Sequence, residues 1–482
     1  MSLSLLPTAA PPRSGYGAPP PLGLVTKLGD ALAQRGVTYC QWKGHGKRER
    51  WESGRGDIDL LVDRASWTEF TEILGELGFK LALPPAGREA SGVMHFFGLD
   101  GRRGELIHLH VYERLAIGSP WRTHYRIPLE RELLASAKLE SDGVFKTAAP
   151  ELELVVLVLR LALRHELRDL LRREPPRWLD GALSELDRLE EQATPAAVVD
   201  VLSRLLPEVS PKLVDQARAS LLPGCPAWRR VLTRWRLTRA LSVHASRPPI
   251  FAFAERLWRR VRPQGQPLAG GGVVVALAGG DGSGKSTCAD ALTTWLAPVI
   301  ATIHLHLGRP TRSLTTLVVG GLLKVAERAR LSRRFVAHLE LLRSVCTGRD
   351  RARLVRRAFR CAAGGGVAIC ERYPSREGWT LSGPSEVQGH ATKAQSRMAD
   401  RLRRYERSLY ERMPRPDLTF VLKLDAETAV NRKPSEPAEY VRERARLTAA
   451  ADWATSGAIV VDAAQPLPQV ISTLKTTFWK NL

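Results

Sequence analysis

The spacing of apolar residues changes twice along the 482-residue chain. Residues 23–135 mix two periods. Segments 24–34 and 65–77 carry apolar side chains at helical spacing, whereas 104–112 alternates. In that alternation Leu106, His108 and His110 share one face, and Ile107, Leu109 and Val111 share the other. Asp59, Leu60, Leu61 and Val62 read as a strand end. An α/β unit is expected here. Residues 136–262 keep only the helical period. Val156, Leu159, Leu163, Leu167 and Leu170 predict one long amphipathic helix over 151–173. Further helices are expected near 178–192, 195–206, 210–222 and 226–243, punctuated by Pro175, Pro176, Pro207, Pro211, Pro223 and Pro226. From 273 onward short apolar runs alternate with helical segments. The expected strands are 273–278, 300–306, 366–370, 418–424 and 458–461. The expected helices are 285–297, 320–362, 390–412, 426–431 and 466–479. Strands separated by helices predict a parallel sheet covered on both faces, a three-layer α/β/α arrangement.

Two stretches interrupt these patterns. Residues 1–22, with Pro11, Pro12, Pro19, Pro20 and Pro21, bury too little apolar surface to offset their ordering entropy and are expected to form a disordered leader. Residues 263–272 hold two prolines and four glycines and read as a linker between a helical connector (136–262) and the C-terminal unit (273–482).

The most informative chemistry follows the first C-terminal strand. Gly279, Gly280, Asp281, Gly282, Ser283, Gly284, Lys285, Ser286 and Thr287 satisfy G-x-x-x-x-G-K-[ST] between a strand and a helix. The glycines let successive backbone N–H groups turn inward. With the positive end of the following helix, those groups cradle phosphates. Lys285 is expected to reach the β- and γ-phosphates of ATP, and the Ser286 hydroxyl to ligate Mg²⁺. Glu371 and Arg372 end the strand near 366–370, where the carboxyl edge of an open α/β sheet binds ligands. Glu371 can orient the Mg²⁺ shell or take the acceptor's proton, and Arg372 can hold an acceptor phosphate. A surface ion pair is the plainer reading of the two.

At this point the chain resembles the thymidylate kinase family of nucleoside monophosphate kinases. The loop from Gly279 to Thr287 is similar to that family's P-loop, and Glu371, Arg372 and Tyr373 to its Asp-Arg-Tyr motif. Pro416, Asp417, Leu418 and Thr419 are similar to its Pro-Asp-Leu-Thr strand. Arg432, Lys433, Arg442 and Arg444 fall where the family carries its phosphate-clamping lid. The resemblance spans roughly 270–482. It implies a P-loop NTPase fold and an ATP- and Mg²⁺-dependent phosphotransferase, with Lys285, Glu371, Arg372, Arg432 and Arg444 in the catalytic set. Its acceptor would be a small molecule, a nucleotide or related metabolite. Glu371 departs from the family's Asp, and the loop lacks an Arg. The segment after Tyr373 lacks the family's base-reading pattern. These departures are closer to a branch that accompanies nucleotidyltransferase-type domains.

Asp57 and Asp59, two apart on a strand, share a face suited to a pair of Mg²⁺ ions. With the preceding Gly56, this resembles the Gly…Asp-x-Asp signature of the nucleotidyltransferase superfamily. Where a third carboxylate is expected, the neighbouring strand offers His108 and His110 instead. An active transferase, a degenerate nucleotide-binding module and an unrelated α/β domain all fit this pattern. A nucleotidyltransferase with an accessory kinase, and an ATP-gated switch acting on the N-terminal unit, are the alternatives to a metabolite kinase.

Composition adds little to this. The net charge of +22 favours anionic partners. Arg229, Arg230, Arg234, Arg236 and Arg239, with Trp228, Trp235, Trp258, Arg259, Arg260 and Arg262, suit nucleic acid or an acidic membrane surface. The same pattern describes an ordinary surface helix of an Arg-rich protein, which is the favoured reading. Six scattered cysteines, none in a CxxC pair, are expected to be reduced thiols of a cytoplasmic protein. The pairs His108/His110 and His304/His306 lack an evident third ligand and read as face-sharing strand residues. No membrane span and no signal peptide are expected; the best apolar run, 155–163, is broken by Arg160.

Overall fold

A computed structural model describes residues 21–44, 48–84, 92–118, 124–141, 143–165, 180–245, 265–385, 387 and 396–482. The expected leader, apart from Pro21 and Leu22, lies outside them. So do Trp258, Arg259, Arg260 and Arg262.

The N-terminal strands are β1 (Tyr39–Lys43), β2 (Asp57–Val62), β3 (Lys80–Ala82), β4 (Val93–Asp100), β5 (Glu105–Tyr112), the ribbon pair β6 (Ala116–Gly118) and β7 (His124–Arg126), β8 (Lys138–Leu139) and β9 (Lys146–Thr147). Seven form one mixed sheet, ordered β3-β4-β5-β2-β1-β9-β8. The parallel β2–β5 pair sets Asp57 opposite His108 and Asp59 opposite His110, and the antiparallel β4–β5 pair sets His95 opposite His110. Period-two alternation sends Ile107, Leu109 and Val111 into a core beneath the helices Gly23–Gln34 and Trp67–Glu76. Leu22, expected in the leader, is instead fully buried in this core.

The opposite face, through Cys40, Trp42, Leu61 and Tyr112, packs on the helical connector. Helices Asp180–Gln192, Pro195–Leu205, Pro211–Leu221 and Ala227–Ala240 match the proline-bounded expectations. Thr194 and Ser210 cap two of them. The expected 23-residue helix is shorter: it runs Pro150–Ala162 and is apolar nearly all round because the other four surround it. It stops where His165 turns into the bundle, its Nε2 3.3 Å from Ser220 Oγ. Leu167 and Leu170 fall outside the described residues.

The C-terminal strands β10 (Val273–Gly279), β11 (Thr302–His306), β12 (Val367–Glu371), β13 (Leu418–Lys423) and β14 (Ile459–Asp462) form an all-parallel sheet, ordered β11-β12-β10-β13-β14. Helices cover both faces, as the alternation predicts. The Arg-rich stretch is two helices, Leu314–Arg328 and Arg333–Ala363. They are split where Arg330 turns to φ 50° and Ser332 caps the second. The charged stretch after the polar loop 434–438, which reads either as a lid flank or as a solvated charged helix, forms the helix Ala438–Ala450.

The proline- and glycine-rich stretch is not a free tether. Pro267 C=O accepts from Leu83 N–H at 2.7 Å, and Ala269 N–H donates to Leu81 C=O at 2.9 Å, so the segment extends the N-terminal sheet beyond β3. The same segment bonds the other unit through Leu268 N–H to Gly365 C=O at 2.8 Å and Ala301 N–H to Gln266 C=O at 2.9 Å. Ala82 and Phe97 of the first sheet share one apolar core with Leu268, Phe478 and Trp479.

Candidate functional site

The loop after β10 obeys its glycine pattern for steric reasons. Gly279 sits at φ +142° and Gly282 at φ +82°. A Cβ would stand 2.6 Å from Leu422 C=O at the first and 2.7 Å from Ala429 C=O at the second, so neither position admits a side chain. The helix Lys285–Leu296 starts at once, its N-terminus facing a cleft of about 550 Å³. Asp281, Gly282, Ser283, Gly284, Lys285, Ser286 and Thr287 line this cleft, and Arg372 and Arg432 join them. The β10–β12 register puts Leu277 beside Glu371, and Ser286 Oγ donates to Glu371 Oε2 at 2.6 Å.

Lys285 Nζ curls back to Gly280 C=O, with Ser283 Oγ at 3.4 Å. Burial lowers its pKa to about 7, and Arg372 adds to the effect. Asp281 is buried between Arg372 and Arg444, the latter's Nε 2.7 Å from Oδ2. Burial alone would raise Asp281, but Arg372, Lys285 and Arg444 outweigh it and hold the carboxyl below its ordinary value. Glu371 is likewise held down against burial by hydrogen bonds from His304 and Ser286. His304 Nε2 lies 2.8 Å from Glu371 Oε1, and that bond raises the His304 pKa.

Arg432 faces the cleft from the helix Ala426–Arg432 and donates to Ala463 C=O at 2.9 Å. Arg444, expected on a lid, is packed on the loop's aspartate and also donates to Leu381 C=O. Arg442 points elsewhere, pairing with Glu427 and Glu439. Asp57 and Asp59 lie apart from the cleft, on β2. His304 and His306 are additions whose sequence signal was the His-Leu-His triplet ending β11. His306 lines the cleft with Arg309, which belongs to the stretch 307–311 that is loosely similar to the family's acceptor-binding segment. On the helix Ala227–Ala240, Trp228 and Trp235 are exposed beneath Arg229 and Arg239, while Arg230 is buried against Leu222 C=O.

No family model matches the chain. It is 27% identical over 213 residues to the Uncharacterized ATP-binding protein YghS of Escherichia coli (strain K12), covering 41% of this chain and 89% of that protein. Thymidylate kinase from Candida albicans aligns at 21% identity with a TM-score of 0.30, over 44% of this chain and 92% of that one. Both similarities leave more than half of the present chain unmatched. No helix among the described residues is long and apolar enough to cross a membrane.

The depressed Lys285 makes a measurable prediction. The free side chain loses its proton as pH rises through about 7. A bound polyphosphate restores the charge, so the liganded pKa is higher than the free one. Affinity for a polyphosphate such as that of ATP should therefore weaken above pH 7, by up to about tenfold per unit, and binding should take up about one proton near pH 8. Calorimetry in buffers of differing ionisation enthalpy measures that uptake. A value of zero would show that Lys285 does not meet the phosphates.

Proposed function

We propose that the chain is an ATP-dependent kinase that transfers the γ-phosphoryl group to a small acceptor, a nucleotide or related metabolite. The observation that carries this reading is the convergence of Lys285, the Ser286–Glu371 pair, Arg372 and Arg432 on one cleft at the carboxyl edge of a parallel sheet. Similarity to a protein described as ATP-binding supports the nucleotide half of it. The Ser286 hydroxyl and the Glu371 carboxylate are hard oxygen donors side by side, a set that fits Mg²⁺. Bound there, Mg²⁺ would neutralise charge on the phosphates of ATP.

Loop amides and Lys285 bind the phosphate chain. Glu371, steadied by His304, orients Ser286. Arg372 and Arg432 line the same cleft, where guanidinium groups would stabilise charge spreading over the transferred oxygens. The acceptor oxygen forms a bond to γ-phosphorus as the bond to the β-phosphate oxygen breaks, releasing ADP; a hydroxyl acceptor gives up its proton, for which the Glu371 carboxylate is the base at the cleft. Incubation of the full chain with Mg·ATP and a panel of nucleosides, nucleotides, sugars and sugar phosphates, read by mass spectrometry, should give one phosphorylated product class. ATP binding with no product across the panel would overturn the reading.

One feature favours a second reading, an ATP-gated switch. The helix Leu467–Lys480 begins at the cleft with Leu467 and Val470 and ends on the N-terminal unit, where Lys475 reaches Gly104 C=O and Trp479 reaches Gly78 C=O. That reading expects nucleotide-dependent changes in amide exchange over residues 78 and 104 with slow hydrolysis and no acceptor.

A further inference from the structure

His95, His108 and His110 converge, half-buried, on the second face of the N-terminal sheet, between Tyr112 and Leu61, which pack on the helical connector, and Phe97, which packs on the C-terminal unit. One ring nitrogen from each lies within 4.8 Å of the other two. Sequence spacing pairs only His108 with His110; the antiparallel β4–β5 register brings in His95, opposite His110. His95 Nδ1 and His108 Nε2 face each other at 3.1 Å. Two imidazole nitrogens bound at about 2.0–2.1 Å to one tetrahedral zinc-class ion stand about 3.3 Å apart, so this pair is already at ligand spacing.

The carboxylates complete the arrangement. His108 Nδ1 lies 2.8 Å from Asp57 Oδ1, and His110 Nδ1 lies 3.1 Å from Asp59 Oδ1. Each carboxylate draws the ring proton to Nδ1 and leaves the Nε2 lone pair for a ligand, the usual support of a metal-bound histidine. Asp59 is in turn fixed by Lys43 Nζ at 2.9 Å and Tyr112 OH at 3.2 Å. Phe97 stacks on the His108 ring, centroids 4.3 Å apart, and limits its rotation. His108 and His110 keep 18% and 19% of their side-chain surface exposed, so neither ring is sealed from solvent.

We propose that His95, His108 and His110 form a three-nitrogen site for one divalent transition ion of the zinc class, oriented by Asp57 and Asp59. Imidazole donors select such ions over Mg²⁺ and Ca²⁺. Three protein ligands leave a fourth position for water or an oxyanion, the pattern of a catalytic rather than a closed structural zinc site. The aspartates then hold the ligands in place, in contrast to their expected service as direct Mg²⁺ ligands. This inference is independent of the kinase reading, because the P-loop cleft contains none of these residues.

The test is metal titration of the tag-free, chelator-stripped full chain with Zn²⁺, and with Co²⁺ as a spectroscopic substitute. One equivalent should bind, and Co²⁺ should give the intense visible bands of a low-coordinate nitrogen site. His95→Ala should remove stoichiometric binding. Asp57→Asn should weaken it about 10–100-fold while leaving the Co²⁺ bands in place. If the wild-type chain takes up no stoichiometric Zn²⁺, or takes up Zn²⁺ equally well as a folded His95→Ala variant, the proposal is overturned. The wild-type titration decides the matter alone should that variant fail to fold. Loss of the Co²⁺ bands in folded Asp57→Asn would also count against the arrangement, because it would make that carboxylate a direct ligand.

Discussion

If the proposed kinase reading holds, Lys285→Ala should lower phosphoryl transfer about 10³-fold, a larger effect than any other single side chain of the cleft should produce. Lys285 is the only lysine of the loop 279–287 and lines the cleft, where the kinase reading has it meet the phosphates. The chain should remain folded. Lys285 is buried with its charge opposed by desolvation, so truncation removes a strained cation along with its bonds to Gly280 and Ser283. Initial rates at saturating acceptor, with far-ultraviolet circular dichroism as the folding control, measure both halves. A rate within tenfold of wild type would place the chemistry elsewhere. Lys285→Arg should be nearly as damaging, since the planar guanidinium does not fit the space of a point charge.

The largest expected stability effect lies far from that lysine. Trp479→Ala should cost about 3–5 kcal/mol. The indole is 5% exposed, packs edge-on against Trp295 at 6.1 Å and donates Nε1–H to Gly78 C=O at 3.0 Å. Its removal empties a site in the one core that both sheets share, and orphans a carbonyl of the N-terminal unit. Because Ala82 and Phe97 lie in that core, both units should lose stability together. Denaturant melts followed separately by tryptophan fluorescence and by nucleotide binding should shift in parallel. A change confined to one of the two probes would show that the units fold independently.

What the sequence revealed tracks how local each signal is. The nucleotide loop was legible because its requirement lies within nine consecutive residues: glycines where no Cβ fits, then a lysine and a hydroxyl opening a helix. The strand-helix alternation from 273 onward was legible for the same reason, as were the proline-bounded connector helices. The contacts that finish the sites depend on strand register. Nothing in the triplet at 304–306 says that His304 will meet Glu371, 67 positions on. Nothing around His95 says that it will stand opposite His110. Arg444 looked like part of a lid from its charge and position. The helix Ala438–Ala450 instead delivers it onto Asp281, where it is partly enclosed. The long connector helix was over-extended because heptad-like leucines continue past the point where bundle packing ends it. The proline- and glycine-rich stretch misled in the other direction. Low apolar content reads as slack chain, yet backbone pairing needs no side chain, and Leu268 supplies the single anchor.

That stretch also governs how the protein can be dissected. An expression fragment beginning at the triple glycine, the boundary a designer would choose by eye, would leave behind Gln266 and Leu268, whose amides and carbonyls close the sheet beside Ala301 and Gly365. It would also strip the cover from Phe478 and Trp479. The fragment would carry a raw apolar face and unpaired strand-edge groups, and would associate with itself. A fragment starting at residue 265 keeps the strap but still lacks Phe97. The nucleotide-binding half is therefore best studied with the first sheet attached.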